Sequence, residues 1–521
     1  MAADDRPVVW SVAGSDSGGG AGIQADLRAF EAFEVHGCTA LAAITAQNSV
    51  AVREVQAVSA QLLDAQLAAL ADDMPPAVIK TGLLGSVANL EVLARWVRRL
   101  RERAPLALVV DPVWRASSGA ALADTGMRQA LCEQLLPLAT VITPNRREAE
   151  WLLGGEPLFS DADVVAAARA LRGRGPRTVL ITGGDVAGDR ARDFLLSPQA
   201  EGWLSLPRQA TAHTHGTGCT FASSMAAAMA LGHCDADAAV FAKMATAQAL
   251  RLGHAAGAGA GPVRPRTGFG HETDLLPGLQ PVDVQSGASA GVPAERLPGF
   301  ASTGTQPLGM YPVVDSAAWV ERMAHAGVTT VQLRIKAAPA AELEAQVRAA
   351  VAVADRHRLR LFVNDHWQLA LQHRAYGVHL GQQDLAGADL AALAGAGLRL
   401  GVSTHAPWEV ARAHALQPSY YACGPVHATR TKAMPWLPQG KGNLAYWSAL
   451  LPAPVVAIGG LDAQRAGEAA RCGADGVAVL SGIVGAPDPE GAVRRYQGAI
   501  AAGRAAPRAV PPSLPRPTLM P

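Results

Sequence analysis

Apolar positions along this chain come in blocks. In the first half, short apolar runs at 8–13, 40–46, 77–80, 106–111, 140–143 and 178–182 alternate with longer stretches at helical spacing. In Ala60–Asp72, for example, Leu63, Leu67 and Leu70 share one face. Short runs bounded by turn residues suit strands buried on both faces. Their alternation with amphipathic helices predicts a doubly wound α/β domain whose ligand lies beyond the carboxyl ends of the strands. In the second half the period tightens. Apolar runs begin near Met310, Thr330, Arg360, Tyr376, Arg399, Tyr420, Val455 and Gly476, with helical patterns between them, such as Val347, Ala350, Val351 and Ala354. Eight strand–helix units in about 200 residues predict a compact (β/α)8 TIM barrel with its chemistry on the loops after the strands. From Gly253 to Pro307 the periodicity disappears and Gly, Ala, Pro, Ser and Thr dominate, a linker composition. The predicted organisation is an α/β domain at 1–252, a linker at 253–307, a barrel at 308–505 and a Pro-rich tail at 506–521.

Composition narrows the function. With 49% apolar and 17% charged residues, the 521-residue chain is not a disordered one. Lys+Arg 45 against Asp+Glu 44 gives a net charge of +1. No global field is present to hold nucleic acid or an anionic membrane, so phosphate ligands must be held by local groups. The mean hydropathy is +0.13. Even so, no stretch of about 18 apolar residues is free of Gly, Pro or charge, and no membrane span is expected. The acidic start lacks the apolar core of a signal peptide. Cys38, Cys132, Cys219, Cys234, Cys423 and Cys472 are scattered without a Cys-x-x-Cys, which fits a reduced, cytoplasmic protein without structural zinc.

Three segments of the first half carry candidate chemistry. Ala13–Asp26 (AGSDSGGGAGIQAD) is a Gly-rich turn from a strand into a helix; it can bring backbone N–H groups close to an anion or a flat ligand, or be a tight turn only. His215–Cys219 (HGTGC) precedes an Ala-rich helix. Small residues there can aim several N–H groups at one phosphoryl oxygen, although an ordinary N-cap has the same look. A depressed pKa is expected for Cys219 at that position. Thr143–Glu150 (TPNRREAE) offers Asn145 and Glu148 to a Mg2+ and its waters, and Asp111 ends a strand where a carboxylate can face phosphates through metal. Taken together with TAQN, KTGLLG and ITGG in this order, these segments resemble the hydroxymethylpyrimidine/phosphomethylpyrimidine kinases of thiamine biosynthesis, of ribokinase-like fold, over residues 7–252. The resemblance implies that Gly14, Asp26 and Gln47 bind the pyrimidine with Leu83, Val113 and Cys219 nearby. It also implies that Gly216, Gly218 and Cys219 form the anion hole, and that ATP is the phosphoryl donor. Thr81 and Leu83 stand where that family usually has Ile and Met.

In the second half every motif ends a strand. Gln332, Arg334 and Lys336 alternate and so share one side of the chain at the barrel mouth, where two cations suit a diphosphate. Asp365 and Asp384 follow neighbouring strands and can share a Mg2+ whose remaining ligands are phosphate oxygens. Thr429, Thr431 and Lys432 lie on a lid-like loop, and glycines follow strands seven and eight. YPVVD, QLRIK, ND, HLGQQDL, GVS, TRTK, AIGG and VLSG resemble thiamine-phosphate synthase over residues 308–503. By that resemblance Gln332, Leu333, Arg334, Ile335, Lys336, Asn364, Ser403 and Lys432 hold the pyrimidine diphosphate. Thr429, Arg430, Thr431, Gly460, Leu480 and Ser481 hold the thiazole phosphate, and Asp365 and Asp384 hold Mg2+. Val313–Val314 and His427 depart from that family's usual residues.

The two resemblances imply a bifunctional transferase. One half would phosphorylate hydroxymethylpyrimidine to its mono- and diphosphate with ATP. The other would condense the diphosphate with thiazole phosphate, releasing pyrophosphate. Cys219 is the candidate for orienting or deprotonating the acceptor, and Lys432 for neutralising departing pyrophosphate. Small molecules are the expected partners, with no nucleic acid or membrane, in a homo-oligomer. Two alternatives stay open: a pyridoxal/pyrimidine salvage kinase fused to a thiazole tautomerase-like barrel, and a non-catalytic ligand-binding regulator.

Overall fold

The computed structural model describes residues 6–115, 122–184, 186–282, 299–429 and 435–519. The chain divides into two compact units, Met1–Gly291 and Val292–Met520.

The first unit is built on a mixed sheet. Its strands, among the described residues, are β1 (Val8–Asp16), β2 (His36–Gln47), β3 (Val52–Ala57), β4 (Val78–Thr81), β5 (Ala107–Val110), β6 (Val141–Ile142), β7 (Thr178–Ile181), β8 (Arg190–Leu196), β9 (Glu201–Pro207) and β10 (Gly278–Gln280). Their order is β10-β9-β8-β7-β6-β5-β4-β1-β2-β3. The stretch β7-β6-β5-β4-β1-β2 is parallel, and these six strands are the six apolar runs of the sequence. The antiparallel β3 and the β8–β10 meander were not among those runs. β3 is exposed or half-exposed along its length and β8 opens on Arg-Ala-Arg-Asp, so neither reads as a buried strand. Alternation along the central strands separates two faces. Trp10, Val12 and Ile79 join the core beneath helices Ala60–Asp73 and Val87–Arg101, with Leu63, Leu67, Leu90 and Trp96. Ser11 and Lys80 point the other way, toward helices Gly22–Ala32 and Thr217–Ala230. The chain reverses its order about β1, whose neighbours are β2 and β4, so the mouth between the loops after β1, β4 and β5 is the switch point where such sheets take ligands.

The expected linker is shorter than its composition suggests. Val263, Phe269, Leu275, Leu276 and Leu279 are buried, and β10 pairs with β9. His215 N donates to Gly261 O at 3.0 Å and Val263 N to His215 O at 3.1 Å, so part of the presumed spacer braces the HGTG turn. Likewise residues 299–307 belong to the second unit: Arg360 donates to the carbonyls of Gln306 and Pro307, and Tyr376 to that of Thr303. Isolated apolar anchors between Gly and Pro carry no period, which is why this segment read as linker. Its residues 283–298 lie outside the described ones.

The second unit is a closed barrel of β11 (Gly309–Val314), β12 (Thr330–Leu333), β13 (Arg360–Asn364), β14 (Gly377–Leu380), β15 (Arg399–Thr404), β16 (Tyr420–Cys423), β17 (Val455–Ile458) and β18 (Gly476–Val479), in sequence order with β18 against β11. Each starts within one residue of its predicted position. Tyr311, Phe362 and Tyr420 fill the interior. Their bulk is admitted by glycine: a Cβ at Gly401 would stand 2.1 Å from the Tyr420 ring. The Pro-rich tail is not loose either. Arg516 and Asn443 bond reciprocally (2.8 Å and 2.9 Å), and Leu437 N donates to Thr518 O at 2.6 Å. No helix among the described residues is long and apolar enough to cross a membrane.

Candidate active sites

At the mouth of the first unit, the Gly-rich turn and the HGTG turn are pinned together by one carboxylate. Asp16 Oδ2 accepts from Gly20 N, Ala21 N and His215 Nε2, each at 2.9 Å, while Oδ1 accepts from Gly18 N at 2.8 Å. Burial alone would raise the Asp16 pKa; His215 and these amides outweigh it and hold the group below its ordinary value. Gly216, with φ +84°, caps the helix Thr217–Ala230, and a Cβ there would lie 2.0 Å from the Gly20 carbonyl oxygen. By contrast, a Cβ on Gly218 would meet nothing within 4 Å. A close-packed glycine behind and an open one in front is the shape of a hole for an incoming oxyanion at a helix N-terminus. Gln47 reaches this corner, its Nε2 at 3.4 Å from His215 Nε2. Gly14 lets Leu83 close on β1, with a Cβ at 3.2 Å from its Cδ2, and Leu83 and Val113 line one small cavity with Leu122, Met127 and Trp151.

The Asp26 carboxylate is fully engaged within the protein. It is 0% exposed, with Oδ1 taken by Lys80 Nζ (2.8 Å) and Ser223 Oγ (2.7 Å) and Oδ2 by Ser11 Oγ (2.6 Å). All of these partners come from the protein itself, and they tie the carboxylate to β1, β4 and the helix Thr217–Ala230. Lys80 also faces Asp111 at 3.5 Å. Burial would pull the Lys80 ammonium down, but the carboxylate of Asp26 above all, with Asp111, keeps it raised and charged. For Asp111 burial wins over Lys80 and raises its pKa. Cys219 corrects an expectation. Burial pushes its thiol up to about 12, with Lys80 pulling down and Asp111 and Asp26 pushing up. Desolvation and two carboxylates outweigh the helix end, so Cys219 is a thiol rather than a thiolate. Glu148 is engaged in a capping box with Asn145: Asn145 N donates to Glu148 Oε2 at 2.8 Å and Glu148 N to Asn145 Oδ1 at 2.9 Å. That is a reciprocally capped helix start.

At the barrel mouth the predicted residues converge. Gln332 and Asn364 are buried at the ends of β12 and β13; Arg334 and Ser403 are half-buried, and Lys336, Asp365 and Asp384 are exposed. Leu333 turns away from the mouth at 1% exposure, so only its backbone can serve a ligand there. The Ile335 carbonyl accepts from His366 Nε2 at 3.1 Å. Partial burial and the neighbouring Asp384 raise the Asp365 pKa against the pull of Arg334. Two carboxylates that repel one another beside open solvent fit a Mg2+ that takes one or two carboxylates and otherwise phosphate oxygens and water. The loop after β16 is clasped by the loop after β17: Val426 N donates to Ile458 O (2.8 Å) and His427 N to Gly459 O (3.0 Å), and a Cβ on Gly460 would lie 2.6 Å from Ala428 O. Thr429 is half-buried beside them; Leu480 and Ser481 open the short helix Ser481–Val484 after β18. Arg430, Thr431 and Lys432 lie outside the described residues.

Sequence reasoning missed Lys80 and His379. Lys80 had a signal: a lysine within a fully buried apolar strand must find a carboxylate. His379 lay in the HLGQQD segment but was given no role. It is buried, its Nε2 is 2.9 Å from Ser403 Oγ and its Nδ1 2.7 Å from Tyr420 OH. Burial drives its pKa down to about 4, so the ring is neutral.

With these geometries in hand, comparison with known proteins is informative. Residues 16–264 match the phosphomethylpyrimidine kinase family and residues 310–483 the thiamine monophosphate synthase family. The Arabidopsis thaliana thiamine biosynthetic bifunctional enzyme, chloroplastic, is 35% identical over 92% of this chain and 90% of its own length. A probable enzyme of the same description from Oryza sativa subsp. japonica is 34% identical over 92% and 86%. The thiamine-phosphate synthase of Serratia proteamaculans is 53% identical over 35% of this chain and 86% of its own length. Among solved structures, the ADP complex of Bacillus subtilis pyridoxal kinase is 34% identical over 50% of this chain and 98% of its own, with a TM-score of 0.47.

Proposed function

The chain belongs to the family of thiamine biosynthetic bifunctional enzymes that join a phosphomethylpyrimidine kinase to a thiamine-phosphate synthase, and from that premise we propose which residues carry each activity. The enzyme phosphorylates 4-amino-5-hydroxymethyl-2-methylpyrimidine to its mono- and diphosphate with ATP. It then condenses the diphosphate with thiazole phosphate to give thiamine phosphate and pyrophosphate. We assign the kinase to residues 6–282 and the synthase to 299–519.

In the kinase, Gln47, Leu83 and Val113 hold the pyrimidine. An amide can both donate to a ring nitrogen and accept from an exocyclic amine. The N–H groups at Gly216–Gly218 receive the phosphoryl oxygens, supported by the open space in front of Gly218. Lys80 is the fixed positive charge behind them. Cys219 orients the acceptor hydroxyl as a neutral thiol and does not take its proton. Catalysis is positioning and charge stabilisation.

In the synthase, Gln332 and Asn364 hold the aminopyrimidine, and Arg334, Lys336 and Ser403 the diphosphate. Thr429, Gly460 and Ser481 hold the thiazole phosphate; Arg430, Thr431 and Lys432 complete that loop. Asp365 and Asp384 would hold Mg2+, which when bound neutralises charge on the diphosphate. Arg334 and Lys336 stabilise the departing pyrophosphate while the electron-rich ring bears the developing positive charge, and the thiazole nitrogen then attacks. The observation that carries this assignment is the mutual approach of Asp365 and Asp384 beside Arg334. Six unpaired cysteines support a cytoplasmic setting.

The test supplies hydroxymethylpyrimidine, thiazole phosphate and MgATP and follows thiamine phosphate. Asp384→Ala should abolish its formation from added pyrimidine diphosphate and leave the kinase rate unchanged. Loss of both activities together would refute independent sites, and phosphorylation of pyridoxal alone would favour the salvage-kinase alternative.

A further inference from the structure

Five strands of the barrel contribute to a line of hydrogen bonds under the synthase mouth that the binding assignments above do not use. It runs from Ser403 Oγ on β15 to His379 Nε2 on β14 at 2.9 Å, and from His379 Nδ1 to Tyr420 OH on β16 at 2.7 Å. Tyr420 OH then meets Tyr311 OH on β11 at 3.0 Å, and the Gln332 side chain on β12 lies beside both phenols. Tyr311, Tyr420 and His379 are buried, and the His379 ring stacks on Tyr420 with centroids 5.7 Å apart. Gly401 is what lets the Tyr420 phenol cross, since a Cβ there would stand 2.3 Å from its oxygen.

A packed aromatic core needs no such line: phenylalanines would fill the same space without buried hydroxyls to satisfy. What the line does is fix a direction. A neutral imidazole donates from one nitrogen and accepts at the other. If Tyr420 donates to Nδ1, then Nε2–H donates to Ser403 Oγ, and the Ser403 hydroxyl proton is left to point into the mouth. In the reverse direction Ser403 donates to Nε2 and presents only lone pairs there. A diphosphate oxygen accepts hydrogen bonds and donates none, so only the first direction suits it.

We propose that His379, Tyr420 and Tyr311 form a relay that commits Ser403 as a hydrogen-bond donor to the diphosphate while anchoring the Gln332 side chain at its other end. This rests on the assignment of Ser403 and Gln332 to the pyrimidine diphosphate. His379, Tyr420 and Tyr311 are positioning residues that never touch the ligand.

The test uses the full chain and assays the synthase step alone, with pyrimidine diphosphate and thiazole phosphate supplied. Tyr420→Phe keeps the ring and removes the hydroxyl; it should lower kcat/KM for the diphosphate about tenfold, the size of one lost charge-assisted hydrogen bond. In the Ser403→Ala background the same change should cost nothing further, because the group it orients is gone. Additive losses would overturn the relay, as would full activity of Tyr420→Phe beside an impaired Ser403→Ala. Full activity of Ser403→Ala would instead overturn the binding assignment and the relay with it. Should Tyr420→Phe melt early, His379→Gln against His379→Leu decides: the amide can still donate toward Ser403 and should retain most activity, and equal loss in both refutes the proposal. The kinase rate serves as the internal control in every variant.

Discussion

Replacing Lys80 with methionine isolates a fully buried ion pair in the first unit. Lys80 and Asp26 are both 0% exposed and 2.8 Å apart. In Lys80→Met the hydrophobic stem survives, while Asp26 keeps only the Ser11 and Ser223 hydroxyls and Asp111 loses the cation at 3.5 Å. Removing one partner of a buried pair strands the other charge, at a cost of about 3–5 kcal/mol. For a unit of this size each kcal/mol moves the midpoint by about 2–4 °C, so the kinase half should unfold roughly 6–20 °C earlier. The assay heats the full chain, cools it, and measures kinase and synthase rates separately, because two units need not melt together. The synthase curve should not move. The double variant Asp26→Asn with Lys80→Met removes both charges and should recover part of the loss, a coupling of more than about 1 kcal/mol. A kinase midpoint within about 2 °C of the parent would refute this account of the buried pair, as would strict additivity in the double variant.

Other outcomes follow from the same geometry. With its thiol pushed up to about 12 by burial, Cys219 should be labelled by iodoacetamide far more slowly than a free thiol; labelling at the free-thiol rate would show an unforeseen activating group. Gly216→Ala forces a side chain into a left-handed position 2.0 Å from the Gly20 oxygen and should abolish kinase activity while sparing the synthase, a result a normal kinase KM for ATP would contradict. His233 is held by burial at a pKa of about 4, below its unfolded value near 6.5. A group depressed in this way contributes stability above the unfolded value and loses it as pH falls between the two. The kinase half should therefore lose about 3 kcal/mol from pH 6.5 to 4 through this group, and His233→Leu should flatten that part of the profile. Asp16, also depressed, adds a loss only below about pH 4, and Asp16→Asn should remove that arm and leave the histidine arm intact.

Much of the barrel mouth was legible because a strand states its own directions. Gln332 and Arg334 alternate along one chain, and a period of two puts them on one side of it wherever the strand is built. Leu333 illustrates the same rule in reverse: between two residues that share the other side of the chain, it had to turn away. The HGTG turn was legible for a related reason, since Gly216 needs a backbone region closed to other residues and its spacing from the following helix is local.

What the sequence determined by itself was what depends on near neighbours: six parallel strands, eight barrel units, the Gly-rich turns and the order of two activities. Only the tertiary structure decided what depends on residues far apart in the chain meeting in low dielectric. Asp26 and Lys80 are 54 positions apart and His379 and Tyr420 41 apart, and no period in the sequence connects them. Burial gathered Lys80, Ser11 and Ser223 around Asp26, kept Cys219 a thiol and gave a silent histidine a place beside Ser403. Solvation and charge pairing are summed over everything that surrounds a group, so they are fixed only when the whole fold has closed around it.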